Sequence, residues 1–94
     1  MPYRLAIDLA AQKEWTRLDK SVKTRFKTKL SEGLENPRVA SAALSGSPDL
    51  YKIKITTPQF RLVYHVDDAH QRLTILAVTS RDDVYDVLAN RLKK

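Results

Sequence analysis

The stretches LYKIKI, Leu50 to Ile55, and FRLVY, Phe60 to Tyr64, decide the fold of this chain. In both, apolar residues alternate with polar or charged ones, which is the period of a half-buried β-strand. Thr57-Pro58 lies between them and is typical of a turn. The sequence therefore predicts a β-hairpin with strands over Leu50–Thr56 and Gln59–Val66.

The position of this turn also predicts the register of the hairpin. With Thr57-Pro58 at its centre, Lys54 lies directly across from Arg61, and Lys52 lies across from Val63 on the same side of the sheet. Like charges across a β-ladder destabilise it by about 0.2 kcal/mol or more. Such a cluster of cations therefore indicates a site for an anion, although lysines that discourage edge-to-edge pairing are an alternative explanation.

Two helices are predicted before the hairpin. Residues 2–7 alternate as a first strand, after which Asp8 can cap a short helix that ends near Leu18. Ser21 is the expected N-cap of a longer helix, which stops at Asn36-Pro37 because the residue before a proline avoids the helical region. The apolar stripe of this second helix recurs at every fourth residue, at Val22, Phe26, Leu30 and Leu34.

Two further elements follow the hairpin. Arg72–Thr79 is an apolar strand that should lie at the centre of the sheet, and Val84–Leu92 has the pattern of a short helix. This order predicts one α+β domain over residues 1–94, with a four-stranded antiparallel sheet, two N-terminal helices on one face and a short C-terminal helix. The sequence does not show which of the later strands pairs with the first strand.

Composition restricts the function classes. Lys and Arg number 17 against 11 Asp and Glu, so the net charge is +6, which suits an anionic partner such as nucleic acid or an acidic protein. The absence of Cys excludes disulfides, cysteine-ligated zinc and a thiol nucleophile. No apolar run approaches the roughly 20 residues that span a bilayer, so no membrane partner and a cytoplasmic location are expected.

Other cations and one aromatic residue extend the hairpin site. Arg81 follows the last strand and Tyr85 comes four residues later, which is the composition of a site that holds a phosphate and stacks a base. The second helix adds basic residues that are either RNA-phosphate contacts or solvated surface: Lys20, Lys23, Arg25, Lys27 and Lys29.

The residues of the hairpin and of the helices together resemble a known family. SPDLYKIKI, FRLVYHV and RDDVYDVL, with KEWTRLDKSVKTRFKTKLSEGLENPR upstream, are similar to the RelE family of bacterial toxins. The resemblance covers essentially the whole chain. It implies a ribosome-dependent endonuclease that enters the ribosomal A site, contacts small-subunit ribosomal RNA and cuts the messenger RNA codon exposed there.

The resemblance also implies partners and a site. A RelB-like antitoxin neutralises such toxins, and operator DNA is reached only through the antitoxin complex. No metal or other cofactor is implied. The family's functional positions fall on Lys52, Lys54, Arg61, Arg81 and Tyr85.

The implied reaction is attack of a ribose 2′-oxygen on the adjacent phosphorus, with departure of the 5′-oxygen. Lys54 is the candidate base, because the charges of Lys52 and Arg61 nearby favour its neutral amine. Arg61 would stabilise the phosphorane and Lys52 would hold a flanking phosphate. Arg81 would assist the leaving group, more easily by electrostatics than as an acid. Tyr85 would stack on a base.

Two other functions stay open. The family pattern has a longer stretch before its Val-Tyr pair, whereas only Asp82-Asp83 separates Arg81 from Val84 here. This difference leaves room for a catalytically inactive RNA-binding or co-repressor subunit. The same scaffold also serves ParE-like toxins, which inhibit DNA gyrase by binding.

Overall fold

The computed structural model describes residues 3–38, 43–44, 49–56 and 59–80. The predicted turn at Thr57-Pro58 and the predicted helix over Val84–Leu92 lie outside these residues. The helices and strands in chain order are β1 (Arg4–Ile7), α1 (Leu9–Thr16), α2 (Lys20–Glu35), β2 (Leu50–Thr56), β3 (Gln59–Asp67) and β4 (Arg72–Thr79).

The four strands form one sheet in the order β1-β4-β3-β2. The predicted α+β class is confirmed, and β4 has neighbours on both sides, as its apolar sequence predicts. One detail of the prediction is wrong: the sheet is mixed and not wholly antiparallel, because β1 joins β4 in parallel, with Arg4 across from Arg72. The connection from β1 to β4, which contains both helices and the hairpin, is long enough for the crossover that a parallel pair needs.

The two helices begin at aspartates. Asp8 caps α1, and its carboxylate accepts a hydrogen bond from the backbone N–H of Ala10, as predicted. The predicted cap of α2 at Ser21 is wrong, since the helix already begins at Lys20 with an extended Asp19 as its N-cap. The carbonyl of Asp19 accepts the first helical bond from the Lys23 N–H at 3.0 Å. Neither helix of the described residues is long and apolar enough to cross a membrane.

Both helices cover one face of the sheet. Val22, Phe26 and Leu30 of the predicted stripe are at most 2% exposed, and each such side chain contributes about 1.5–3 kcal/mol by burial. From the sheet, Tyr51 and Tyr64 enter the same core with their rings stacked, 5.6 Å between centroids. Burial raises the pKa of Tyr64.

A polar cluster beside the core connects segments that are far apart in the chain. The Arg38 guanidinium donates to Asp68 at 2.8 Å, to Asp49 at 3.0 Å and to the Tyr51 hydroxyl at 3.3 Å. The Tyr3 hydroxyl donates to Asp68 as well. These residues lie just before β1, just after α2, at the start of β2 and just after β3. The cluster therefore fixes the point where β2 enters the sheet.

Candidate functional site

The cations of the hairpin lie on the face of the sheet that the helices leave uncovered. Lys54 pairs with Arg61, and Lys52 pairs with Val63, as the turn position predicts. We call the face that carries Lys52, Lys54 and Arg61 the basic face. Two interstrand pairs therefore bring three positive charges together.

The direction of the backbone hydrogen bonds shows which type of interstrand pair Lys54 and Arg61 form. The N–H of Val66 donates to the carbonyl of Asp49 at 2.9 Å, so Asp49 directs its backbone groups toward β3. Because direction alternates along a strand, Lys52 and Lys54 direct theirs away from β3. The pair of Lys54 with Arg61 is thus a non-hydrogen-bonded pair, in which the Cα atoms approach to about 4.5 Å and side chains lie closest.

The three cations differ in exposure. Lys54 is exposed and Lys52 is half-buried on β2, an edge strand of the sheet. Arg61 is only 7% exposed, because β3 is an inner strand, where Arg61 lies between Lys54 of β2 and Thr79 of β4. The site therefore consists of an accessible amine at the edge and a guanidinium set deeper in the sheet.

An apolar cluster forms the floor next to these cations. Its buried members on the basic face include Leu50, Val63 and Ala77, with Leu44 packed beside them. Val63 follows Arg61 by two residues and also lies across from Lys52. Apolar surroundings lower the local dielectric constant, so a cation here interacts more strongly with a phosphate than it would in water. The alternation of apolar residues in the sequence identified the core but not this second cluster.

His65 also lies on the basic face, across from Leu50. It stands four residues along β3 from Arg61, which is a distance of about 13 Å. A proton acceptor must come within hydrogen-bond reach of the proton that it removes. Of the side chains described on this face near Arg61, Lys54 therefore has the better position.

The basic residues of α2 do not form one surface. At about 100° per residue, Arg25 and Lys29 lie on one flank of the buried stripe, whereas Lys20, Lys23 and Lys27 lie on the other. Lys27 lines a cavity between α1, α2 and β1. Lys29 lines a groove beside β2 together with Lys52 and Lys54. The flank with Arg25 and Lys29 lies on the side of α2 next to β2.

Sequence reasoning missed two residues of this groove. Glu32 and Asn36 line it with Lys29, and the spacing of these three residues on α2 places them along the same flank. The predicted site residues Arg81 and Tyr85 lie outside the described residues. The structure thus brings together Lys52, Lys54 and Arg61 of the predicted catalytic set.

Comparison with known proteins shows the family of the whole chain. Residues 5–85 match the sequence model of the family described as "ParE toxin of type II toxin-antitoxin system, parDE". A relative from Escherichia coli strain K12, named mRNA interferase toxin RelE, is 39% identical over 94 residues, which is 98% of this chain and 99% of the relative.

Solved structures of RelE toxins also match this chain. The free state of an E. coli toxin RelE variant with two arginines replaced by alanine superposes with a TM-score of 0.89 at 38% identity, covering 98% of this chain and 99% of the other. The toxin of the intact E. coli RelBE toxin-antitoxin complex superposes with a TM-score of 0.81 at 40% identity, covering 85% of this chain and 98% of the other. These similarities extend over the whole fold and include the hairpin.

Proposed function

Because this chain belongs to the RelE family of type II toxins, we propose that it is an mRNA interferase that cleaves codons in the ribosomal A site. One observation carries the proposal: Lys54 lies directly across from Arg61, with Lys52 beside them and an apolar floor behind. This arrangement has what RNA cleavage requires, an amine that can accept a proton and cations fixed where phosphate charge develops.

Lys54 takes the proton from the ribose 2′-hydroxyl. Its exposed amine stands at the edge of the sheet, where RNA can approach. The 2′-oxygen then attacks the adjacent phosphorus, and the bond to the 5′-oxygen breaks. The leaving 5′-oxygen takes up a proton from solvent to become a 5′-hydroxyl, and a 2′,3′-cyclic phosphate remains.

Arg61 stabilises the charge of the phosphorane, and Lys52 binds beside it. The guanidinium of Arg61 is planar and always protonated, so it can donate two parallel hydrogen bonds to phosphate oxygens. Its place on the inner strand β3 fixes it from both sides before the substrate binds. Lys52, two residues from Lys54, holds a neighbouring phosphate.

The remaining roles rest on family resemblance. Arg81 neutralises charge on the leaving 5′-oxygen, and Tyr85 stacks on a base of the codon. The basic residues of α2 contact ribosomal RNA phosphates, which bind cations without sequence preference. Of these residues, Arg25 and Lys29 are the ones on the flank of α2 next to β2.

A RelB-like antitoxin is the proposed protein partner. Solved relatives include the RelBE toxin-antitoxin complex and a toxin RelE variant bound to a RelB peptide. The net charge of +6 favours an acidic partner, and operator DNA is reached through that partner. Together with the proposed ribosomal target, this supports a cytoplasmic location for the toxin.

Primer extension on a translated message tests the proposed function. Programmed ribosomes incubated with the purified protein should give cuts inside the A-site codon, and Lys54→Ala should abolish them. Lys13→Ala removes a similar charge from α1, outside the site, and should leave the cuts in place. The same primer extension on message from cells in which the toxin is induced gives the opposing outcome: an intact message in cells whose growth has stopped would refute the proposal.

The family description as ParE toxin favours one second candidate. ParE-like inhibition of DNA gyrase needs binding and no RNA chemistry. A supercoiling assay with purified gyrase separates the two functions, because inhibition there by both the unmodified protein and Lys54→Ala would favour the gyrase function. A catalytically inactive RNA-binding subunit would leave both message and gyrase unaffected.

A further inference from the structure

We infer that Thr79 takes part in cleavage, because its hydroxyl donates a hydrogen bond to the 5′-oxygen as that oxygen leaves. This inference rests on the proposed function and extends it, since it adds a residue of β4 on the leaving-group side of the scissile phosphate. Three observations carry it: the register of β3 with β4, the row that Lys54, Arg61 and Thr79 form across the sheet, and the support of β4 by Glu14.

A shift in register places Thr79 beside Arg61. The pairing of β3 with β4 shifts by one residue between Val63 and Tyr64. A regular ladder would continue from Tyr64 with Val78 across from Arg61, whereas the shift puts Thr79 at that position. Irregularities of this kind re-aim side chains next to active sites. Here the shift replaces an apolar side chain by a hydroxyl.

Thr79 directs its side chain to the basic face. Residues directly across from each other in a ladder have their side chains on the same side of the sheet, and Arg61 belongs to the basic face. The preceding residue, Val78, lies in the core under the helices, so alternation also puts Thr79 on the opposite side. Thr79 borders a cavity at this end of the sheet as well, but Val78 is the residue that β4 directs into the core there.

Lys54, Arg61 and Thr79 form one row across three strands. Because neighbouring strands lie about 4.8 Å apart, Lys54 and Thr79 stand on opposite sides of Arg61, about 10 Å from each other. The attacking and the leaving oxygen of a phosphoryl transfer are roughly in line, on opposite sides of the phosphorus. With the 2′-oxygen on the side of Lys54, the 5′-oxygen lies on the side of Thr79. Arg81, which family resemblance assigns to the same oxygen, follows two residues later in the sequence.

The depth of Arg61 lets a short side chain reach the phosphate. Arg61 is only 7% exposed, so a phosphate that its guanidinium binds must approach the surface of the sheet. The hydroxyl of Thr79 is attached to the Cβ atom and therefore lies close to that surface. It can donate a hydrogen bond to the negative charge that develops on the 5′-oxygen. The hydroxyl keeps its proton, and the 5′-oxygen takes its own from solvent.

Glu14 of α1 holds the end of β4 in place. β1 pairs with β4 only as far as Ile75, so no strand of the described sheet lies on the outer side of β4 beyond that residue. There the Glu14 carboxylate accepts a hydrogen bond from the Val78 N–H at 3.0 Å. A hydrogen bond to a carboxylate is stronger than one to a neutral acceptor. Thr79 is thus fixed between Arg61 on one side and, through Val78, α1 on the other before the substrate binds.

Single-turnover cleavage on programmed ribosomes tests the role of Thr79. Thr79→Val keeps the shape of the side chain without its hydroxyl, and it should lower the maximal rate about tenfold with little change in the half-saturating toxin concentration. Thr79→Ser keeps a hydroxyl and should recover most of the rate. The matched control is Thr74→Val on the same face of β4, across from His65, which should cleave as the unmodified protein does.

A second substrate identifies the atom that Thr79 contacts. In this message a sulfur atom replaces the 5′-oxygen of the scissile bond. A thiolate is a much weaker base than an alkoxide, so it leaves without the help of a hydrogen bond. On this message Thr79→Val should cleave as fast as the unmodified protein, whereas Lys54→Ala should still be defective, because Lys54 acts on the 2′-side.

The outcomes separate this inference from the proposed function. Normal cleavage of the oxygen message by Thr79→Val, or an equal loss in Thr74→Val or Thr79→Ser, overturns the role of the Thr79 hydroxyl and leaves the proposed function standing. A loss in Thr79→Val that persists on the sulfur message overturns it too, because the hydroxyl would then act away from the leaving atom. No cleavage by the unmodified protein overturns both proposals.

Discussion

Lys54 lies directly across from Arg61 in a non-hydrogen-bonded pair, one residue on an exposed edge strand and the other buried on an inner strand. Pairs of this type bring side chains closer than any other interstrand pair, so the repulsion between the two cations is at its largest here. The hairpin has this pair of cations although a neutral residue at position 54 would make the hairpin more stable.

The first prediction is that Lys54→Thr stabilises the protein while it abolishes cleavage. Removal of the repulsion and the higher strand propensity of Thr should raise the free energy of unfolding by about 0.2–1 kcal/mol. Urea denaturation at low salt measures this gain, which should shrink at high salt. Lys52→Thr, across from Val63, is the control and should gain less; an equal or larger gain there would contradict the argument.

The second prediction separates a base from a cation at position 54. Lys54→Arg keeps the positive charge, but a guanidinium does not lose its proton in proteins. The single-turnover cleavage rate should therefore fall by about 10²-fold or more, as for Lys54→Ala. Near-normal cleavage by Lys54→Arg would show that the charge alone acts at this position.

The third prediction concerns the hydrogen bond from the Tyr64 hydroxyl to the carbonyl of Pro37, which is 2.9 Å long and buried. Tyr64→Phe leaves that carbonyl without this donor and should lower the free energy of unfolding by about 1–3 kcal/mol. In the control Tyr51→Phe the lost contact, from Arg38 at 3.3 Å, is only partly buried, so the loss should be smaller. Chemical denaturation of both variants measures the difference.

The fourth prediction concerns pH. Hydrogen bonds from Tyr3 and then Arg38 hold the pKa of Asp68 below its usual range. A carboxyl whose pKa is lowered by folding contributes stability that is complete above its ordinary pKa and is lost as the pH falls through the lower, folded-state value. Asp68→Asn should therefore lower the Tm at about pH 6 and have little effect at about pH 2.

The control for this pH dependence is Glu35→Gln, which neutralises an exposed carboxylate at the end of α2. It should change the Tm much less at either pH. A Tm difference between Asp68→Asn and the unmodified protein that stays constant down to the acid pH would mean that Asp68 does not act through its charge.

Local patterns predicted the part of the structure that carries the site. The turn at Thr57-Pro58 and the alternation in each strand were enough to pair Lys54 with Arg61, because a one-residue slip would have moved Ile53 and Leu62 out of the core. The α2 stripe was likewise visible, since its period reflects contact with one surface.

Features that depend on distant parts of the chain were not predictable. The parallel pairing of β1 with β4 depends on which edge of the sheet is free, and no property of residues 2–7 encodes that choice. The Arg38 cluster draws on four separate segments. Helical spacing alone divides the basic residues of α2 between two flanks of the stripe, but only the packed structure shows that the flank with Lys29 lies beside β2.

The parallel pairing of β1 with β4 has a consequence for synthesis of the protein. Arg4–Ile7 can join the sheet only beside Arg72–Ile75, so the first strand that leaves the ribosome waits for the last strand of the sheet. The hairpin of β2 and β3, in contrast, pairs residues that follow each other closely. During synthesis the hairpin can therefore form, with Lys54 across from Arg61, before β1 pairs with β4. The complete sheet forms only when most of the chain has been translated.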